Sequence, residues 1–244
     1  MDAKQLASLE PALEAFIGAF RKCFHEPTFR HFRTYLLGLM EDDARELGLH
    51  VFSTSGFLDD SWFNRTYWMY SATWPGFYLA HRGAKTGQLL CVGPEKTYVV
   101  SAFPTRNFQS PLFEPGQQGY LLLADRNDNE PLLDPRTRGT TKGWGFTRAE
   151  PPVWHDWVPV RIRGMVLAGN NLFAAGPPDT LDPDDPMAAF EGRLGGVLHV
   201  HSAADGHLVR EQKLDAPPVF DGLIAADGRL LMSTTDGHVV CFGK

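Results

Sequence analysis

The residues from Trp62 to Tyr78, WFNRTYWMYSATWPGFY, hold eight aromatic side chains in seventeen positions. Exposed indole faces stack on sugars and planar ligands, so Trp62, Trp68 and Trp74 are candidate ligand-binding residues. Trp74-Pro75-Gly76 has the composition of a turn, which would set Trp74 at a rim. The same rings also suit the interior of a β-structure, where bulky β-favouring side chains fill the space between sheets. The interior reading is the simpler one, because stacking needs an open ring face as well as a ring.

Other residue sets invite chemistry and fall short of it. His199 and His201 are two apart on an expected strand and share one face. Two imidazoles can begin a zinc site, but a third ligand and orienting partners are also required, and no third ligand can be named. The run DRNDNE (125–130) alternates Asp125, Asn127 and Asn129 like the start of a calcium loop. Its sixth position is Glu130 rather than glycine and its twelfth is Arg136 rather than Glu, which favours a solvated turn. Asp179, Asp182, Asp184 and Asp185 form an acidic loop broken by prolines, again a solvated segment. Cys23, Cys91 and Cys241 fit no metal spacing and form an odd set, so free and mostly buried thiols are expected. No catalytic constellation is identifiable: the chain has no Gly-x-Ser-x-Gly, no HExxH and no phosphate loop.

The elements that would position these residues change character near residue 47. Before it, Leu6, Leu9, Leu13, Phe16, Ile17, Phe20 and Phe24 recur at steps of three and four, one face of a helix. His25-Glu26-Pro27 ends that helix, and Thr28 can cap a second one carrying Phe29, Phe32, Tyr35, Leu36 and Leu39. Residues 1–47 are thus expected to be a helical hairpin, and 48–244 a β domain. Beyond residue 47 short period-two runs alternate with glycine turns. RGMVLAGNNLFAAG (163–176) reads as strand, tight turn, strand, and further turns fall at Asp205-Gly206, Asp227-Gly228 and Asp236-Gly237. Strands at 164–168, 171–176, 196–202 and 207–214 would make one four-stranded antiparallel unit. The last unit offers three strands, and LHVFST (49–54) is expected to pair with it and close a ring. The segments 134–157 and 177–192 read as loops.

The β part resembles the pyrroloquinoline-quinone-like (PQQ-like) β-propeller repeat proteins, a group related to the scaffold propeller of outer-membrane assembly. AKTGQLL (84–90) and SAADGHLV (202–209) match the repeat's turn between outer strands, and VFDGLIAADGRLLMSTTDGHVVCF (219–242) matches a blade. GFLDDSWFNRTYWMY (56–70), YLLLADRND (120–128) and WVPVRIRGMVLAGNNLFAAGPPD (157–179) look like large bacterial members of the group. The head, MDAKQLASLEPALEAFIGAFRKCF followed by TFRHFRTYLLGL, is similar over about residues 1–46 to the start of DDE-type insertion-sequence transposases. That family's acidic catalytic triad has no counterpart here, so transposition is not expected. The chain looks like a fusion of a transposase beginning with the end of a propeller protein.

The resemblance implies a mainly β fold, an incomplete propeller of about four to five blades at ~40–45 residues each, behind a helical hairpin. Related propellers usually have seven or eight blades, so open blade edges and a homo-oligomer are expected. True quinone enzymes of this fold use PQQ, calcium, a catalytic Asp and commonly a vicinal cysteine pair. No vicinal pair occurs and no catalytic Asp can be assigned, so the resemblance carries the fold and not the cofactor. The expected function is a non-enzymatic binding or scaffold module for protein or carbohydrate. The alternatives are a quinoprotein-type oxidoreductase fragment, or carbohydrate binding through residues 62–78.

Charge narrows the partners. The chain carries a formal net charge of −6. Residues 1–47 hold six Lys or Arg against eight Asp or Glu, a poor footprint for phosphate binding, so nucleic acid is not an expected partner. No apolar run reaches the ~20 residues of a membrane helix, and the N-terminus lacks the basic and apolar regions of a signal peptide. As written the chain is expected in the cytoplasm, although the parent propeller family is often exported.

Overall fold

The computed structural model describes residues 48–53, 68–72, 83–102, 119–130 and 148–243. Apart from Gly48, these belong to one unit, Leu49–Lys244. The expected helical hairpin over 1–47, with Cys23, lies outside the described residues, as do Trp62 and Trp74. The described part is mainly β, and every strand pairing in it is antiparallel.

Four meanders follow one another along the chain. The first contains β1 (His50–Ser53), β2 (Trp68–Ser71) and β3 (Thr86–Gly87). The second contains β4 (Leu89–Val92), β5 (Lys96–Ala102), β6 (Tyr120–Arg126) and β7 (Trp154–Val158). The third contains β8 (Gly164–Ala168), β9 (Asn171–Gly176), β10 (Gly196–Ser202) and β11 (Leu208–Leu214). The fourth contains β12 (Pro218–Ala226), β13 (Arg229–Thr234) and β14 (Val239–Phe242). In each sheet the strands lie in chain order, the arrangement that short hairpin connections impose.

The turns behave as their residues require. Asp227 and Gly228 both take positive φ, 50° and 72°, the two-residue geometry that matches strand twist in a hairpin. They place Ala226 opposite Arg229 and fix the register of β12 on β13. One-residue slippage would send Leu230 and Met232, both buried, to the opposite face.

The sheets are buried against each other through side chains that alternate between faces. Tyr98, Val100, Leu122, Ala124, Trp154 and Val158 of the second sheet share one core with Met165, Leu172 and Ala174 of the third. Ala175 and Leu198 of the third share another with Leu223, Leu230 and Met232 of the fourth. Val99, Leu121 and Leu123 form a third cluster on the other face of the second sheet. This double burial leaves β5 buried without a break from Thr97 to Ala102 and β6 from Leu121 to Asp125, instead of at alternate residues. The first strands of the second, third and fourth sheets are neighbours, with β8 lying beside both β4 and β12.

Three expectations about pairing and loops are corrected. LHVFST does not join the last meander: His50–Ser53 pairs with Ser71–Trp68, four residues in register. AKTGQLL does not turn between outer strands of one sheet. Its Thr86–Gly87 pairs with β2, while Leu89–Val92 pairs with β5, so one extended run passes from the first sheet to the second. The end of the expected 134–157 loop is strand β7, whose Trp154 and Val158 are buried on one face.

Candidate functional site

Among the sequence candidates, Trp68 sits half-buried in β2, opposite Ser53 on one side and Gly87 on the other. Met69 and Ser71 point to the buried face, so Trp68 and Tyr70 occupy the other. Trp62 and Trp74 fall outside the described residues, so Trp68 alone of the three has a described place in the fold.

The DRNDNE turn is only partly solvated: Arg126 and Asp128 are exposed, while Asp125 and Asn129 belong to a buried ionic cluster. Asp125, at the end of β6, is fully buried. Its carboxylate accepts from Arg148 Nη2 at 2.5 Å and Nε at 3.4 Å, from Asn129 Nδ2 at 3.0 Å and from the Lys85 backbone N–H at 3.2 Å. Lys85 is itself fully buried, and its ammonium donates to the Asn127 carbonyl at 2.6 Å and Glu130 Oε1 at 2.8 Å. Glu130 also accepts from Ser71 Oγ at 2.5 Å and the Ala72 N–H at 3.1 Å. Two cations and two carboxylates therefore tie the first sheet to the β6–β7 connection. Lys85 has φ 52°, a left-handed conformation that costs about 1–2 kcal/mol for a non-glycine residue. Its buried bonds hold it there. The oxygens that a calcium ion would need already face a guanidinium and an ammonium. These residues do not fit the calcium loop that their alternation suggests.

The acidic loop is likewise only partly solvated. Asp179 is buried against Arg161 at 3.4 Å, and the Arg161 guanidinium lies over the rings of Tyr120 and Phe190. Asp182 and Asp184 remain exposed, and Asp185 is half-buried. Cys91 is half-buried, and burial first, with the charge of Asp221 adding, pushes its thiol up to about 11. Cys241 is exposed, contrary to the expectation of mostly buried thiols.

The feature best shaped to receive a ligand lies between the third and fourth sheets and was not singled out by residue type. A cleft of about 450 Å³ opens there, within the size range of small-molecule sites. Its walls are apolar: Phe173, Leu198 and Val200 on one side, Ala225, Leu230 and Phe242 on the other. Arg210 of β11 and Arg229 of β13 line it with Gln212 and Asp227. Both guanidiniums are on exposed residues, and neither has an ion-pair partner among the described residues. Strand periodicity places these walls: Leu198 and Val200 share one face of β10, Ala225 and Phe242 flank Leu230 across the fourth sheet, and the Asp227-Gly228 turn forms one end. Sequence alone gives each wall as an ordinary strand face; which two faces leave a gap depends on sheet packing. The arrangement can hold an apolar body and neutralise an acidic end. It offers no paired nucleophile and base.

Among the described residues no helix is long and apolar enough to cross a membrane. The chain matches no model of a known protein family and no curated protein.

Proposed function

We propose that residues 48–244 are a β-propeller-type binding module, and that the cleft between the third and fourth sheets is its ligand site. Consecutive antiparallel meanders, the last three with neighbouring first strands, support the propeller reading. The observation that carries the binding assignment is the apolar cleft itself, lined by two guanidiniums without ion-pair partners among the described residues. Apolar walls supply affinity by burial, at roughly 25 cal/mol per Å² of apolar surface removed from water. The two arginines select a carboxylate or sulfonate end, since a guanidinium donates two parallel N–H bonds to a pair of anionic oxygens. The ligand class is a small molecule with an apolar body and one acidic group, bound without chemical change.

The test uses 8-anilinonaphthalene-1-sulfonate, which has that composition. The full chain should bind one molecule with enhanced fluorescence, and a neutral analogue lacking the sulfonate should bind at least tenfold more weakly. Ala225→Trp, which fills the cleft, should abolish the signal without lowering the unfolding temperature. Equal binding by wild type and Ala225→Trp would remove the cleft as the site. Addition of PQQ with calcium should leave the unfolding temperature unchanged, and a stabilisation would favour an oxidoreductase role.

A further inference from the structure

The fourth meander stops one strand short of its neighbours. The second and third sheets have four strands each, and the fourth has three. Counted outward from the neighbouring strands β8 and β12, the outermost strand of the third sheet, β11, has no counterpart in the fourth. Among the described residues no strand pairs with the far side of β14. Its open backbone groups follow from its register on β13. The Thr234 N–H donates to the His238 carbonyl at 2.9 Å, which makes these two residues a hydrogen-bonded pair. Such pairs alternate along an antiparallel ladder, so Met232–Val240 and Leu230–Phe242 are hydrogen-bonded pairs as well. Val239 and Cys241 therefore turn their N–H and C=O groups away from β13, toward the open edge.

Two further observations mark this edge as a place for a strand. The outermost strands of the second and third sheets carry exposed polar and charged residues, His155 and Asp156 on β7 and Arg210, Glu211 and Lys213 on β11. Charges on an edge strand discourage pairing with another chain. The four residues of β14, VVCF, include no charge, and Val239 is 69% exposed. Beside this edge lies a cavity of about 610 Å³, walled by Gln212 and Leu214 of β11, Met232 of β13, and Val240 and Phe242 of β14. Val240 and Phe242 pack against the core shared with the third sheet. Side chains opposite them on an added strand would share their face and enter the cavity. Asp215 and Asp236 line its Val239 end, where the Thr235 N–H donates to the Pro217 carbonyl at 3.0 Å.

We infer that β14 takes up an extended peptide of another polypeptide as the fourth strand of the fourth sheet, with main-chain bonds giving affinity and the cavity giving specificity. The slot sets the chemistry of that peptide. It runs antiparallel to β14, as every described pairing does, and exchanges hydrogen bonds with Val239 and Cys241. Its residues opposite Phe242 and Val240 are apolar and fill the cavity, and those between them are polar and face solvent. The next residue, opposite His238, is Lys or Arg, attracted by Asp215 and Asp236. A second copy of the chain does not fit. Two copies joined β14 to β14 would each carry a β11 reaching one strand beyond β14, and the two β11 strands would meet in one layer. The slot adjoins the cleft and shares Gln212 and Phe242 with it, but rests on the open edge and not on the guanidiniums, so either assignment can fail alone.

The test is calorimetric titration of the full chain with the acetylated and amidated peptide Thr-Leu-Thr-Leu-Thr-Lys, which should bind one to one. The same peptide N-methylated at its third and fifth residues lacks the donors that face β14 and should bind at least tenfold more weakly. A peptide of the same composition with its two leucines adjacent should weaken equally. Cys241→Pro removes an outward N–H, a change that an edge strand tolerates. It should weaken the peptide at least tenfold and leave the unfolding temperature and the binding of 8-anilinonaphthalene-1-sulfonate unchanged. Should that variant unfold, the N-methylated peptide still decides the matter on the wild type. Peptide bound where the dye is not leaves the edge standing and retires the cleft alone. No peptide binding by the wild type, or equal binding of the N-methylated peptide, overturns the proposal. A dimer seen in sedimentation of the wild type and lost in Cys241→Pro gives the edge to a second copy and overturns it as well.

Discussion

Removing the Asp125 carboxylate should be among the most damaging single changes in the β domain. Asp125→Ala deletes the acceptor for four donors at 2.5–3.4 Å: two on Arg148, one on Asn129 and the backbone N–H of Lys85. Asp125 and Arg148 are 0% and 3% exposed, so water cannot readily replace the lost bonds. Breaking a buried ion pair from one side costs about 3–5 kcal/mol, which for a domain of this size lowers the melting temperature by about 6–20 °C. The Lys85 ammonium keeps its bonds to the Asn127 carbonyl and Glu130, so the loss should not exceed that range. Asp125→Leu combined with Arg148→Met removes both charges and should cost clearly less than the sum of the single changes, with a coupling of about 1.5–3 kcal/mol. Urea unfolding of the four proteins, with slopes compared for two-state behaviour, gives the cycle. A cost below about 1 kcal/mol for Asp125→Ala, or strict additivity, would refute the view that this cluster ties the first two sheets together.

Other expectations concern turns, thiols and pH. Gly206→Ala should destabilise by about 2–4 kcal/mol through strain at positive φ and overpacking, since its Cβ would meet the Trp154 ring at 2.5 Å. Gly228→Ala, at a positive φ with open space around it, should cost only about 1 kcal/mol by the same urea assay. Iodoacetamide at pH 8 followed by peptide mass spectrometry should label the Cys241 peptide quickly and leave the Cys91 peptide unlabelled, since Cys91 is pushed up to about 11 and Cys241 is exposed. His199 and His201 are held below their ordinary range by burial, so the unfolded chain takes up protons that the folded one refuses. Stability from these rings is complete above the unfolded value of about 6.5 and falls as pH drops below it. A His201→Gln variant should show a shallower decline between pH 7 and 5 in thermal melts, and an unaltered slope would contradict the burial reading.

What the sequence made legible follows from how local each signal is. The boundaries of β8, β9, β10 and β11 fall where Gly169-Asn170 and Asp205-Gly206 mark turns, because turn chemistry and period-two burial are read within a few residues. The three-stranded last meander was legible for the same reason. β7 was not, because His155 and Asp156 interrupt its apolar pattern and only the inward-facing Trp154 and Val158 mark it. The Asp125 cluster joins residues up to 59 positions apart, so no spacing rule could relate Ser71 or Lys85 to Glu130, or Asp125 to Arg148. A clue was present in Asp125, the one acidic residue of the strand YLLLADR, but it pointed equally to solvent. The shared face of His199 and His201 was visible, whereas the bonds to Glu211 and Gly206 that fix their protons depend on pairing register and turn geometry. The cleft depends on how far apart two sheet faces stand, which no single strand encodes.

The most direct measurement is a crystal structure of the full chain with 8-anilinonaphthalene-1-sulfonate bound. The dye should lie between β10 and β13, its rings against Phe173 and Leu230 and its sulfonate on Arg210 and Arg229. Dye bound elsewhere, or a fourth meander that does not stack its Leu230 and Met232 face on the third, would contradict the binding role assigned to this domain.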